Sequence, residues 1–96
     1  MTDLHIHRQH KHGLKKIRKI AFAWAELAEK DFGLSCVYHE GETQDECFFT
    51  KTGIRGRLLA THDELEIHID LGLVLRAFKS KIEVDILKNL DALLAR

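Results

Sequence analysis

The segment HIHRQHKH begins at His5 and places four histidines near the start of a chain of 96 residues. His5 and His7 are two residues apart, so both imidazoles leave the same face of a β-strand. Imidazole nitrogens bind divalent metals, and His10 and His12 would add ligands if the chain turned back after the strand. Asp3 is the only nearby carboxylate, and the basic residues of the segment repel cations. The alternative interpretation is a polar strand face that leads into a basic helix.

The charge of the first half of the chain is divided into a basic and an acidic part. Residues 4–25 contain six lysines and arginines and no acid, whereas residues 26–50 contain seven acids and one lysine. The histidines gain charge near pH 6.5, so the basic part strengthens as the pH falls. This pattern favours contact with an anionic surface. The candidate surface-contact residues are basic or aromatic: Lys15, Lys16, Arg18, Lys19, Phe22, Phe48, Arg55 and Arg57.

Nucleic acid is not an expected partner. The formal net charge is zero, and the cations are not interleaved with aromatic residues. Phe22 lies off the apolar stripe of its helix, and Phe48 lies beside arginines on the outer side of a sheet. Phe22 is either an ordinary exposed aromatic residue or a contact site. Phe48 either stacks with an arginine across the strands or contacts another copy of the chain.

The elements that position these residues follow from hydrophobic periodicity. Residues 3–8 alternate as a strand, and steps of three and four from Leu14 to Phe32 predict an amphipathic helix that ends at Gly33. Residues from Leu73 nearly to the C-terminus again have helical spacing. Between the helices, alternation and turn residues predict four strands, over residues 34–40, 46–51, 54–62 and 65–71.

The turn residues also predict how these strands pair. A two-residue loop at Thr52-Gly53 and a tight turn at His62-Asp63 place apolar residues opposite each other on one face, and arginines opposite His and Asp on the other. The predicted pairs are Leu58–Ile67, Ala60–Leu65, Arg57–His68, Arg55–Asp70, Phe49–Gly56 and Phe48–Arg57.

The predicted fold is a two-layer α+β arrangement in one domain, residues 1–96. An antiparallel five-stranded sheet carries two helices on one face, in the order β-α-β-β-β-β-α, with the first strand pairing beside the last. A chain of this length buries one modest core, which leaves little room for a cavity. No apolar run reaches the length of a membrane span, and the polar N-terminus does not resemble a secretory signal, so a cytoplasmic location is expected.

Catalytic chemistry finds no support in the sequence, so the protein is predicted not to be an enzyme and to need no cofactor. There is no Gly-rich phosphate loop and no Ser–His–Asp set. Cys36 and Cys47 lack metal or redox spacing and are predicted to be reduced core residues. Strand alternation places His39 on the face opposite Cys36, so the two do not form a nucleophile and base.

Three segments carry a family resemblance: HIHRQHKHGLKKIRKIAFAWAE, GIRGRLLATHDELEI and LGLVLRAFKSKIEVDILKNLDALLA. Together they resemble the polyhydroxyalkanoic acid system protein family, small bacterial proteins encoded near genes for storage-polyester granules. The order of elements also resembles a shortened helix-grip (START-like) domain, in which a C-terminal helix lies across a curved sheet and an apolar ligand is often held between them.

The resemblance implies a non-enzymatic accessory protein that associates with storage granules or a granule protein through surface contacts, and we expect a homodimer. One alternative is a helix-grip binder of an acyl or other apolar ligand. The other is a metal binder that uses His5, His7, His10 and His12, although no metal is predicted as a physiological ligand. For the acyl binder, the residues expected to line the ligand space are Leu58, Ile67, Ile69, Leu75, Phe78 and Ile82.

Overall fold

The computed structural model describes residues 3–95 and has the predicted order of elements. A short 3-10 helix, Leu75–Phe78, precedes the final helix. The elements are β1 (Leu4–Gln9), α1 (Gly13–Phe32), β2 (Ser35–His39), β3 (Gln44–Lys51), β4 (Ile54–Thr61), β5 (Glu64–Leu71) and α2 (Lys79–Leu94).

The five strands form one antiparallel sheet in the order β1-β5-β4-β3-β2. Both predicted hairpin registers are confirmed, including Leu58 opposite Ile67 and Arg57 opposite His68. Gly53 has a φ of 85°, which a two-residue hairpin loop requires and which glycine adopts without strain. Since a slip of one residue would reverse the faces of a strand, the register determines which side chains reach the core.

Both helices cover the same face of the sheet, as predicted. Ile17, Trp24 and Ala28 of α1 and Leu90 of α2 are buried in one core with the inner face of the strands. The Trp24 ring packs edge-on against Phe49 of β3, with ring centroids 5.1 Å apart. The core therefore lies between the helices and the sheet, and the other face of the sheet carries mostly polar side chains.

The final helix begins at Lys79 and not near Leu73, so the predicted start was wrong. The Gly72 N–H donates to the Gly53 carbonyl (2.8 Å), which ties the chain to the β3–β4 turn at the end of the sheet. The 3-10 helix then carries the chain over this end before α2 can form. Leu73 and Val74 have helical spacing but lie 86% and 77% exposed, because the crossing places them outside the core.

None of the helices within residues 3–95 is long and apolar enough to cross a membrane.

Candidate functional site

Three lysines at the start of α1, Lys15, Lys16 and Lys19, are exposed together with Phe22. We call these four residues the lysine face. The Phe22 ring is 49% exposed and meets the Tyr38 ring edge-on, with centroids 5.5 Å apart. Within residues 3–95, none of the three lysines has a carboxylate oxygen within 4.0 Å. Their positive charge therefore faces the solvent.

Arg18 belongs to the same predicted surface, but the structure places its guanidinium against a buried acid. Arg18 donates from Nε to Asp45 Oδ2 (2.9 Å) and from Nη2 to Asp45 Oδ1 (3.0 Å). It also donates to the Gly41 carbonyl (2.7 Å). These bonds join α1 to β3 and to the loop before it, so Arg18 stabilises the fold and is not free for a partner.

Asp45 is completely buried, which sequence reasoning did not predict. Burial raises the pKa of its carboxyl, but the hydrogen bonds from Arg18 and Tyr38 together outweigh burial and leave the pKa below its usual value. The Tyr38 hydroxyl donates to Asp45 Oδ2 (2.6 Å), and burial, followed by this bond to an anion, raises the pKa of Tyr38. Asp45 is therefore an ionised acceptor at neutral pH, and Tyr38 is a neutral donor.

On the outer face of the sheet, Phe48 lies beside the arginines as predicted. It is 42% exposed and stands opposite Val37 of the edge strand β2, which is also exposed. Arg57 pairs with Glu46 (3.1 Å), whereas Arg55 stands opposite Asp70 on β5. The homodimer stays a prediction. The exposed Val37–Phe48 pair offers it an apolar surface beside the edge strand β2.

His10 and His12 do not join His5 and His7. The His10 Nε2 atom bonds to the Thr61 carbonyl (3.1 Å), and the His12 Nε2 atom bonds to the Leu94 carbonyl (2.9 Å). Their rings stack with centroids 5.4 Å apart. The His12 backbone N–H also donates to His10 Nδ1 (3.1 Å), so three of the four ring nitrogens already have partners in the protein. These bonds hold the link between β1 and α1 against the end of β4 and the end of α2.

His5 and His7 point outward from β1, as alternation predicted, and face β5. The register places His5 opposite His68 and His7 opposite Glu66. The expectation that Asp3 is the only nearby carboxylate was wrong, because it considered neighbours along the chain only. The hydrogen bond with His5 is the largest influence on the Glu66 carboxyl and lowers its pKa.

An apolar cavity of about 290 Å³ lies beneath the 3-10 helix and α2, where little room was expected. Of the six residues predicted to line a ligand space, Ile69, Leu75, Phe78 and Ile82 line this cavity, and Leu58 and Ile67 lie fully buried in the packed core instead. The lining is apolar apart from two charged residues and consists of Trp24, Phe32, Leu34, Phe49, Ile54, Ile69, Leu75, Phe78, Lys81, Ile82, Asp85 and Ile86.

The cysteines are free thiols packed at the core, as predicted. Cys47 is buried, and burial raises its pKa to about 12. Burial also raises the pKa of Cys36, whose Sγ lies 3.7 Å from the Ala25 carbonyl. Because the thiolate is the reactive form of cysteine, these surroundings disfavour nucleophilic chemistry at either residue.

Comparison with known proteins agrees with the resemblance carried by the three sequence segments. No curated protein and no solved structure matches the chain. A family model described as "Putative polyhydroxyalkanoic acid system protein" matches residues 4–94, nearly the whole chain. The chain therefore belongs to this family, whose description connects it with polyhydroxyalkanoate storage.

Proposed function

We propose that this protein is a non-enzymatic accessory protein of polyhydroxyalkanoate storage that binds the anionic phospholipid coat of storage granules through its lysine face. Membership of the family supports the connection with storage. The lysine face supports the mode of binding, since clustered basic side chains are attracted to anionic lipid and an exposed aromatic ring adds apolar contact at the interface.

One observation carries this proposal: within residues 3–95 the fold pairs most of the arginines with carboxylates, but it pairs none of Lys15, Lys16 and Lys19. Among residues 3–95, four of the five arginines pair with a carboxylate, Arg8 with Asp91 and Arg76 with Asp3 among them. The lysine face has no such partner in that part of the chain. Its charge therefore remains available to a partner outside the protein.

Replacing Lys15, Lys16 and Lys19 together with glutamate is expected to weaken binding to isolated granules about hundredfold. A basic residue near an anionic membrane contributes about 1 kcal/mol, so three contribute about 3 kcal/mol. Co-sedimentation with granules, and with vesicles that contain either anionic or neutral lipid, measures the effect. Binding of the unchanged protein should also fall as salt is added.

A matched control carries the same charge change elsewhere on the surface. Lys30, Lys79 and Lys88 are also exposed, and their replacement with glutamate should alter binding much less. Equal losses from the two triple variants would mean that only net charge matters. Binding that is unchanged by the lysine substitutions and by salt would contradict the proposal. Binding to granules but not to anionic vesicles would mean that the partner is the protein coat and not the lipid.

The apolar cavity favours a second candidate function, binding of an acyl chain between α2 and the sheet. Its volume is near the lower end of small-molecule sites, which span about 300–1,000 Å³. Trp24, Phe49 and Ile69 form apolar walls, and the lining holds one charge of each sign, Lys81 for a carboxylate and Asp85 for a hydroxyl group. These features fit a fatty acid or hydroxy fatty acid better than a polar metabolite.

Replacing Ile82 with tryptophan is expected to abolish binding of decanoate and its hydroxy derivative, because the indole would occupy the cavity. Calorimetric titration measures the affinity for both ligands. Native mass spectrometry of the protein purified from polyester-storing cells shows whether a ligand is already bound. Val84 is exposed on the same helix, so Val84→Trp is the matched control and should bind normally. Saturable binding that persists in Ile82→Trp would place the ligand elsewhere, and no saturable binding to the unchanged protein would dismiss this candidate.

A further inference from the structure

The outer face of the sheet brings together histidines and carboxylates from opposite ends of the chain. His5 and His7 leave β1 on the same side, and the antiparallel register sets His68 and Glu66 of β5 directly against them. Glu64, two residues before Glu66, lies on the same face of β5 and opposite Gln9. The pairing therefore builds a compact array of metal-ligating side chains that neither strand has alone.

Within this array, one carboxylate oxygen lies between two imidazole nitrogens. Glu66 Oε2 lies 3.1 Å from His5 Nε2 and 3.2 Å from His68 Nε2. The two imidazole rings stack with centroids 4.3 Å apart and an angle of 13° between their planes. The three ligand atoms all lie within 4.8 Å of one another. Zinc bonds of about 2.0–2.1 Å in a tetrahedron place ligand atoms about 3.3 Å apart, so the two nitrogen–oxygen separations are close to that spacing.

The surroundings add further ligands and little net positive charge. His7 Nε2 lies 3.6 Å from Glu64 Oε2, and these two form a second candidate group together with Glu66. On the neighbouring strand β4, Arg57 stands opposite His68 but pairs with Glu46. The basic residues of the first segment would repel a metal cation. In the folded chain Glu64 and Glu66 lie beside the histidines and offset that repulsion.

We propose that His5, Glu66 and His68 form a binding site for a divalent transition metal ion, with Zn²⁺ as the best-suited ion. Two imidazoles and one carboxylate are a ligand set that zinc uses in proteins, and a fourth position remains for water or His7. The three side chains are partly exposed, so an ion enters directly from solvent. Bound metal would join the edge strand β1 to β5 and stabilise the folded chain in proportion to metal concentration. This site is independent of the lysine face and the cavity.

The test is a titration of the full chain, without an affinity tag, with Zn²⁺ alone, followed by calorimetry and by thermal unfolding. We expect one ion per chain and a melting temperature that rises with zinc concentration. His5→Ala, His68→Ala and the isosteric Glu66→Gln should each weaken binding by at least about tenfold, since even partners that only support a metal ligand contribute that much. Co²⁺ should give the visible absorption of a tetrahedral site, lost in the same variants.

His62→Ala and His39→Ala are the matched controls, because both histidines are exposed and lie outside the array. They should bind zinc as the unchanged protein does. The site would be overturned by the absence of saturable binding, or by binding that survives Glu66→Gln and His68→Ala. Loss in a His10→Ala, His12→Ala variant with no loss in His5→Ala would also overturn it, since the ion would then lie at the other histidine pair. Circular dichroism of each variant separates lost ligands from lost folding.

Discussion

Replacing Asp45 with alanine is expected to lower the free energy of unfolding by roughly 3 kcal/mol, in line with the cost of breaking a buried ion pair. The carboxylate is completely buried and accepts hydrogen bonds from Arg18, Tyr38 and the Gly41 N–H. Its removal takes the acceptor from the Gly41 N–H and leaves the partly buried Tyr38 hydroxyl only a long contact with the Arg18 carbonyl (3.5 Å), while the Arg18 guanidinium is close enough to the surface to regain water. Urea denaturation at neutral pH measures the change.

Glu42→Ala is the control, because Glu42 is an exposed acid in the loop just before Asp45. Its replacement should change stability by no more than about 0.5 kcal/mol, as is usual for surface positions. The pH dependence gives a second check. The pKa of Asp45 is lowered from 3.8 in the folded chain, so its ionisation stabilises the fold above that pH and the contribution is lost as the pH falls through the folded value. The advantage of the unchanged protein over Asp45→Asn should therefore shrink in acid. Equal stabilities for Asp45→Ala and Glu42→Ala would contradict the buried-pair interpretation.

Gly56→Ala is expected to destabilise the protein by about 2–3 kcal/mol, near the upper end of the usual cost of overpacking. A Cβ atom at this position would overlap the ring of Phe49 on β3 and would lie 2.9 Å from the His68 carbonyl on β5. The Phe49 ring cannot withdraw freely because Trp24 packs against it. Thermal and urea unfolding of the variant measure the loss of stability. The expected loss is opposite in sign to the small gain in stability that replacing glycine with alanine in a strand normally gives.

A double variant tests the cause. Phe49→Leu alone should also destabilise, but it removes the ring atoms that the new Cβ would meet. Gly56→Ala in the Phe49→Leu background should therefore cost less than it does alone, with a coupling energy of about 1 kcal/mol or more. Strictly additive losses would show that the strain arises elsewhere, for example against the His68 carbonyl.

Much of the fold could be predicted because its signals are local. Gly33 ends α1 with a φ of 67°, and its N–H bonds to the Ala28 carbonyl, as the glycine after the apolar stripe indicated. The Thr52-Gly53 loop determined that Phe49 faces Gly56, and the alternation on both strands agreed with that register. The start of α2 was predicted wrongly because Leu73 and Val74 have helical spacing, while the hydrogen bond between Gly72 and Gly53 that delays the helix joins distant parts of the chain.

In the candidate sites, too, the residue types could be read from the sequence but their contacts could not. The basic character of Lys15, Lys16 and Lys19 is visible in the sequence, but that Arg18 is neutralised is not. Asp45 lies in a stretch of acids with nothing to distinguish it, and only the packing of α1 against the β2–β3 loop buries it. The alternation of β5 showed that Glu66 and His68 share the outer face, yet their contact with His5 depends on pairing across 61 residues.

The sequence by itself determined the strands, both hairpin registers, the long first helix and the membership of a family, because periodicity and turn chemistry act between residues near one another in the chain. Only the tertiary structure decided which charges remain uncompensated, where an apolar cavity lies, and which histidines share a carboxylate. Those features depend on distances between side chains that are remote in sequence, and such distances are set by how the helices and the first strand close over the sheet.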